Sequence, residues 1–340
     1  MDNLYQAWRL ARKGKTEQAA AIRYELNLWQ HLGQVAAQLR NRTYRVGQYR
    51  IFTITEPKTR LIMALPLRDR VVQHALCLPM RPLLEEHFVS ANAANRNDKG
   101  THYAVRLLTA QMVHANRRYH QLYCLKCDIS GFFYNIDRAI LKQKLLRLPM
   151  DEGAKWLIDT IIDSTPDVNG KSGKGMPIGN LTSQFWAIYY LSDLDHFIKE
   201  TLGIKYYVRY MDDWTLLHPD KYYLRYCRQA IADFLAVDCA LELNRKTQIF
   251  NVRQGIDFLG WHFYLGATGK VIKIMRRESK IKRRRQNKRW RRAYAGACTY
   301  DQRQAVFTEG RQSLVSWLGH ARFGHTYRLR QKLSRELVLK

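Results

Sequence analysis

Apolar residues return at helical spacing through the first forty positions, as Leu4, Trp8 and Ala11 and then Leu28, Leu32, Val35 and Leu39, which predicts a helical N-terminal segment. The period then shortens. Residues 121 to 127, Gln121-Leu-Tyr-Cys-Leu-Lys-Cys127, read as a strand that leaves Asp128 at its end. Lys205-Tyr-Tyr-Val-Arg and Trp214-Thr-Leu-Leu read as two more strands, which makes Tyr210-Met211-Asp212-Asp213 the tip of a hairpin. Gly266-Ala-Thr-Gly269 marks a turn. Beyond it, Arg276 to Arg292 is helical in pattern yet basic on nearly every side, so that self-repulsion keeps it from folding alone. Leu314-Val-Ser-Trp-Leu318 then restores an apolar pattern and argues against a disordered tail. Helices mixed with hairpin-connected strands predict an α+β fold.

Adjacent acids on a regular strand face opposite ways. A tight turn aims both carboxylates toward one cleft, where hard oxygen ligands suit Mg²⁺, the usual neutraliser of a triphosphate. An acidic pair in a turn is also ordinary solvated turn chemistry, and a strand-end acid is also a cap. Together, Asp128 and Asp212 can share two metal ions about 3.5 to 4 Å apart, one activating a primer 3′-hydroxyl and the other stabilising the leaving pyrophosphate.

These residues carry a family resemblance. Asp128-Ile-Ser-Gly-Phe-Phe133-Tyr-Asn-Ile-Asp137 resembles motif A of reverse transcriptases, and Tyr210-Met211-Asp212-Asp213 resembles their YMDD box. Gly175-Met-Pro-Ile178-Gly179-Asn-Leu-Thr-Ser183-Gln184 resembles motif B, a Pro-x-Gly turn leading into a helix, expected here across Thr182 to Lys199, that lies along the template and nascent base pair. Lys246 resembles the motif D lysine, Gly255-Ile-Asp-Phe258-Leu-Gly260-Trp261 the primer grip, and Glu56-Pro-Lys58-Thr-Arg60 with Arg96-Asn-Asp-Lys99-Gly100 the basic fingers motifs. The likeness covers roughly residues 50 to 265. It implies a right-hand polymerase: an N-terminal helical extension (1–45), fingers (46–120), a palm of antiparallel sheet plus helices (121–265) and a small basic helical thumb (266–340).

The same resemblance assigns roles. Asp128, Ile129, Asp212 and Asp213 form the metal set for two Mg²⁺ ions, with Mn²⁺ as a substitute. Lys58 and Arg60 hold the incoming triphosphate by point charge and fork geometry, and otherwise belong to a solvated basic loop. Phe133 blocks a ribose 2′-hydroxyl, unless it is one more core aromatic. Tyr210, Met211, Ile178, Gly179 and Gln184 line the nucleotide, and Lys246 is a general acid toward pyrophosphate or a plain surface lysine. Arg96, Lys99, Phe258, Gly260, Trp261, Lys282, Arg283, Arg284, Lys288 and Arg289 meet the template–primer.

Most reverse transcriptases have Gln-Gly and Ser-Pro in motif B where this chain has Ile178-Gly179 and Ser183-Gln184. That variant resembles diversity-generating retroelements, which copy a template-repeat RNA with errors opposite adenine and return the cDNA to a variable gene region (mutagenic retrohoming). A glutamine at position 178 hydrogen-bonds a nucleotide or base edge, whereas isoleucine offers apolar contact alone. Simple packing of Ile178 under the turn is the alternative. The expected partners are template RNA, the RNA/cDNA duplex, deoxynucleoside triphosphates and a small basic pentameric accessory protein. A faithful retron, group II intron-like or antiphage enzyme and a catalytically silent RNA-binding scaffold are the competing readings.

The charge agrees with a polyanionic partner: 57 Lys and Arg against 29 Asp and Glu give a net charge of +28. Residues 266 to 340 alone carry 21 basic and 4 acidic side chains, a net of +17. No apolar run approaches the 18 or so residues of a membrane span and the start lacks a signal-peptide pattern, so a cytoplasmic place in a bacterial, archaeal or phage system is expected. Cys124 and Cys127 have zinc-knuckle spacing without a second pair and read as inert strand residues.

Overall fold

Two hydrophobic cores sandwich one antiparallel sheet. The computed structural model describes residues 1–55, 59–167, 170, 172–266 and 268–336. Three helices come first, α1 (Asp2–Arg12), α2 (Ala19–Leu26) and α3 (Leu28–Arg40), followed by a hairpin of β1 (Arg50–Ile54) and β2 (Arg60–Ala64). Leu4, Trp8 and Ala11 of α1 and Leu32 and Val35 of α3 are buried, as their spacing predicts. α1 lies along α4 (Leu67–Glu86), and α5 (Thr101–Arg118) follows.

Then come β3 (Tyr123–Asp128), α6 (Phe132–Asn135), α7 (Arg138–Leu146), α8 (Glu152–Asp163), α9 (Leu181–Tyr190), α10 (Ser192–His196), β4 (Tyr206–Tyr210), β5 (Asp213–His218), α11 (Lys221–Cys239) and β6 (Gln248–Asn251). The palm sheet has the order β4-β5-β3-β6. Because side chains alternate along a strand, Leu125, Cys127, Tyr207, Trp214 and Leu216 join the core beneath α9 and α11. Cys124, Tyr206, Val208 and Leu217 point the other way, into a core shared with α5. Cys124 and Cys127 therefore sit on opposite faces, and burial pushes the Cys124 thiol up to about 12.

The helix expected across Thr182 to Lys199 is not continuous. α9 ends at Tyr190, α10 restarts at Ser192, and Phe197–Thr201 is a π-helical turn. The Ser192 hydroxyl donates to the Tyr189 carbonyl at 2.7 Å, a back-bond of the kind that bends helices.

A second sheet of β7 (Ile256–Phe258), β8 (Trp261–Leu265) and β9 (Val271–Met275) leads to three helices, α12 (Arg277–Ala295), α13 (Tyr300–Ala321) and α14 (Tyr327–Arg335). Thr299 and Gln302 form a reciprocal capping box at the start of α13. The basic stretch is helical, as its pattern predicts, but its face contrast is polar rather than apolar. Arg283 and Asn287, one turn apart, point inward: Arg283 Nη1 donates to the Ser313 carbonyl at 3.2 Å and hydroxyl at 3.0 Å, and Asn287 donates to the Leu333 carbonyl at 2.8 Å. No helix among the described residues is long and apolar enough to cross a membrane.

Candidate active site

Asp128, the last residue of β3, stands directly opposite Asp213, the first residue of β5. Tyr210 also pairs with Asp213, so Met211 and Asp212 alone connect β4 to β5. Met211 adopts φ +58°, a left-handed conformation that costs a residue with a side chain about 1 kcal/mol or more. Asn244 fixes Asp128 twice, its backbone N–H donating to the Asp128 carbonyl at 2.8 Å and its side-chain amide to Oδ2 at 3.1 Å. The chain between β5 and β6 thereby aims the carboxylate that the strand end presents.

Period-two spacing puts Lys126 on the same face as Asp128 and Asp213. Its ammonium lies against the Asp213 carboxylate and 4.7 Å from the Phe258 ring centroid, and burial pushes its pKa down to about 8. The sequence marks this lysine by one signal, its position two residues before Asp128 on the same face of the strand. Among the described residues no three His, Cys, Asp or Glu side chains already close on a common point. Asp128 and Asp213 nevertheless offer the hard oxygen donors a divalent ion takes, and the Lys126 ammonium against Asp213 fills the place of positive charge that such an ion would have to displace.

The other motifs converge on this edge through backbone hydrogen bonds. The Met63 N–H on β2 donates to the Ile178 carbonyl at 2.9 Å, the Leu61 N–H donates to the Tyr134 hydroxyl at 3.2 Å, and the Met176 N–H donates to the Phe133 carbonyl at 2.8 Å. Arg60, Phe133, Ile178 and Gly179 are brought into one neighbourhood by these links. Gly179 has φ +128°, and a Cβ there would lie 3.0 Å from the Met63 carbonyl oxygen, so the close approach requires glycine. Gln184 is exposed on α9 and accepts from the Asn95 amide at 2.9 Å, which ties motif B to the Arg96–Lys99 loop. Lys58 lies outside the described residues.

Several expected nucleic-acid contacts are placed elsewhere. Phe258 and Trp261 are each 1% exposed and belong to the core between the second sheet and α5, so the primer-grip aromatics pack rather than stack on bases. Arg283 is also 1% exposed, because the three-helix packing turns that side of α12 inward. Lys282, Arg284, Lys288 and Arg289 remain at the surface. Arg96 donates to the Val89 and Asn92 carbonyls at 2.8 and 3.3 Å, and Lys99 donates to the Ser90 carbonyl at 3.1 Å, so both brace their own loop. Lys246 is exposed, two residues from the Asn244 that holds Asp128.

Residues 55–263 match the family model described as "Reverse transcriptase (RNA-dependent DNA polymerase)". A curated relative, protein YkfC of Escherichia coli (strain K12), is 24% identical over a 230-residue alignment that covers 57% of this chain and 60% of that protein. The structure of telomerase from Candida albicans with a TWJ fragment of telomeric RNA aligns with a TM-score of 0.50 at 11% identity, covering 92% of this chain and 64% of that one. The corresponding structure from Candida tropicalis also gives 0.50 at 11% identity, covering 87% and 59%. The chain thus spans about three fifths of the length of these proteins, and the structural likeness, which concerns the fold alone, is to right-hand polymerases. With carboxylates registered across two neighbouring palm strands and a family match over more than half its length, the chain belongs to the reverse transcriptase family of RNA-dependent DNA polymerases.

Proposed function

We propose that this protein copies a template-repeat RNA into cDNA with errors concentrated at adenines, as the reverse transcriptase of a diversity-generating retroelement. The observation that carries the reading is the placement of Ile178. Its carbonyl is tied to Met63 of β2, the strand that Arg60 opens, and its side chain can offer a nucleotide only apolar contact where a glutamine would hydrogen-bond.

In this reading Asp128, Asp212 and Asp213, with the carbonyl of Ile129, would hold Mg²⁺, which when bound would supply charge neutralisation for the triphosphate and favour deprotonation of the primer hydroxyl. Asn244 orients the Asp128 carboxylate, and Lys126 keeps Asp213 neutralised until the substrate arrives. Arg60 holds the triphosphate, Phe133 excludes the 2′-hydroxyl, and Lys246 donates a proton to pyrophosphate. The exposed cations of α12 bind the phosphates of the template–primer. A cytoplasmic setting and a small basic pentameric accessory protein complete the proposal.

Primer extension on a defined RNA with Mg²⁺ and deoxynucleotides, followed by cDNA sequencing, tests it. Errors clustered opposite template adenine are the expected outcome. Faithful cDNA would move the assignment to a retron, intron-like or antiphage enzyme, and no synthesis under any partner condition would leave an RNA-binding scaffold.

A further inference from the structure

Behind the hairpin that carries Asp212 and Asp213 lies an ion pair sealed from solvent. Arg209 and Asp195 are both 0% exposed. Arg209 Nε donates to Asp195 Oδ1 at 2.6 Å and Nη2 to Oδ2 at 2.5 Å, a two-pronged pairing. The Tyr207 hydroxyl also donates to Oδ1, at 2.6 Å. Two of the three remaining N–H donors of the guanidinium go to backbone: one from Nη2 to the Ile188 carbonyl on α9 at 3.2 Å, and one from Nη1 to the Met211 carbonyl at 3.0 Å.

Burying two charges is costly, and a well-packed apolar pair is often at least as stable. What an apolar pair cannot do is grip a carbonyl. The carbonyl gripped here belongs to the residue at φ +58° that sets the direction of Asp212 and Asp213. The backbone of Arg209 is held as well: its N–H donates to the Ala91 carbonyl at 3.0 Å, and its carbonyl accepts from the Ala93 N–H at 2.9 Å. That segment leads into Asn95, which is bonded to Gln184 of motif B. Arg209 is therefore the point where the α9–α10 helix pair, the fingers loop and the acidic turn are joined.

We propose that Arg209, oriented by Asp195, is a positioning residue for the metal-binding turn: its guanidinium holds Met211 left-handed so that Asp212 and Asp213 face Asp128. The inference rests on the metal reading of those carboxylates. The decisive variant is Arg209→Lys, since an ammonium is a point donor and cannot serve two carboxylate oxygens and two carbonyls at once.

In the full chain bound to primer–template, Mn²⁺ binding followed by electron paramagnetic resonance should weaken by about tenfold in R209K, the scale of losing an outer-shell partner. kcat should fall by a similar factor, while KM for deoxynucleotide and primer–template affinity stay within about twofold. Asp195→Asn, which loosens the guanidinium without removing it, should shift Mn²⁺ affinity and kcat in the same direction by less, and it carries the comparison if R209K does not fold. Adding Met211→Gly to R209K should recover part of the Mn²⁺ affinity, because glycine adopts positive φ unaided. Unchanged Mn²⁺ affinity in folded variants, or a loss that glycine does not relieve, would overturn the proposal. Asp213→Asn serves as the control: Mn²⁺ binding indifferent to it would defeat the metal reading itself.

Discussion

Asp128 and Asp213 meet as cross-strand partners, the final residue of one palm strand facing the first residue of its neighbour. Two carboxylates so placed repel one another, and the Lys126 ammonium against Asp213 relieves that repulsion within the chain.

Lys126→Met should destabilise the protein in chelator by about 1 kcal/mol, which for a chain of this size is a melting shift of about 1–2 °C. Mg²⁺ should return most of the loss, giving the variant a larger metal-induced shift than the parent. Calorimetric melting with and without Mg²⁺ checks this, and equal shifts in both proteins would remove Lys126 from the carboxylate field.

Asp212→Ala should lower DNA synthesis by about 10³-fold or more, since metal-borne charge stabilisation is worth several kcal/mol and each 1.36 kcal/mol is tenfold. RNA affinity by fluorescence anisotropy should change little if, as proposed, the exposed cations of α12 bind the phosphates. A parallel loss of both would show that the two tasks are not divided between residues.

Phe133→Ala should admit ribonucleotides, reducing the preference for deoxynucleotides about tenfold or more. Single-nucleotide incorporation with matched ribo and deoxy substrates measures it. Unaltered discrimination would return Phe133, which packs edge-on against Phe132 with centroids 5.5 Å apart, to the core alone.

Ile178→Gln is expected to lower misincorporation opposite template adenine while leaving other positions unchanged, read by deep sequencing of cDNA. An identical error spectrum would place infidelity outside motif B.

Arg284, Lys288 and Arg289 replaced together by alanine should flatten the slope of log affinity against log salt by about 2 to 3. Arg283→Ala should lower the melting temperature and leave that slope alone. The contrast follows from burial: one arginine of the basic helix is inside and its neighbours are not.

That contrast also marks the limit of reading the chain by pattern. Leu4, Trp8 and Ala11 declare their buried stripe because their neighbours are polar, and Asp128 declares its place because the strand before it is apolar. On α12 every side is basic, so periodicity carries no information about which arginine turns inward. Phe258 and Trp261 are ambiguous in the sequence for a related reason, since an aromatic beside a glycine turn looks the same whether it faces a base or a core. Arg209 and Asp195 were invisible as a pair: they lie on different elements, and only the packing of β4 on α10 makes them neighbours.

The three C-terminal helices have a consequence for how the molecule breathes. Among the described residues they bury little apolar area, chiefly Ala321 and Leu333, around a centre made of Arg283 and Asn287. A unit built this way opens at a free energy below that of the whole fold. Its amide hydrogens should exchange well before those of the palm strands, and a bound polyanion, by screening the mutual repulsion of its cations, should slow that exchange more than anywhere else in the chain.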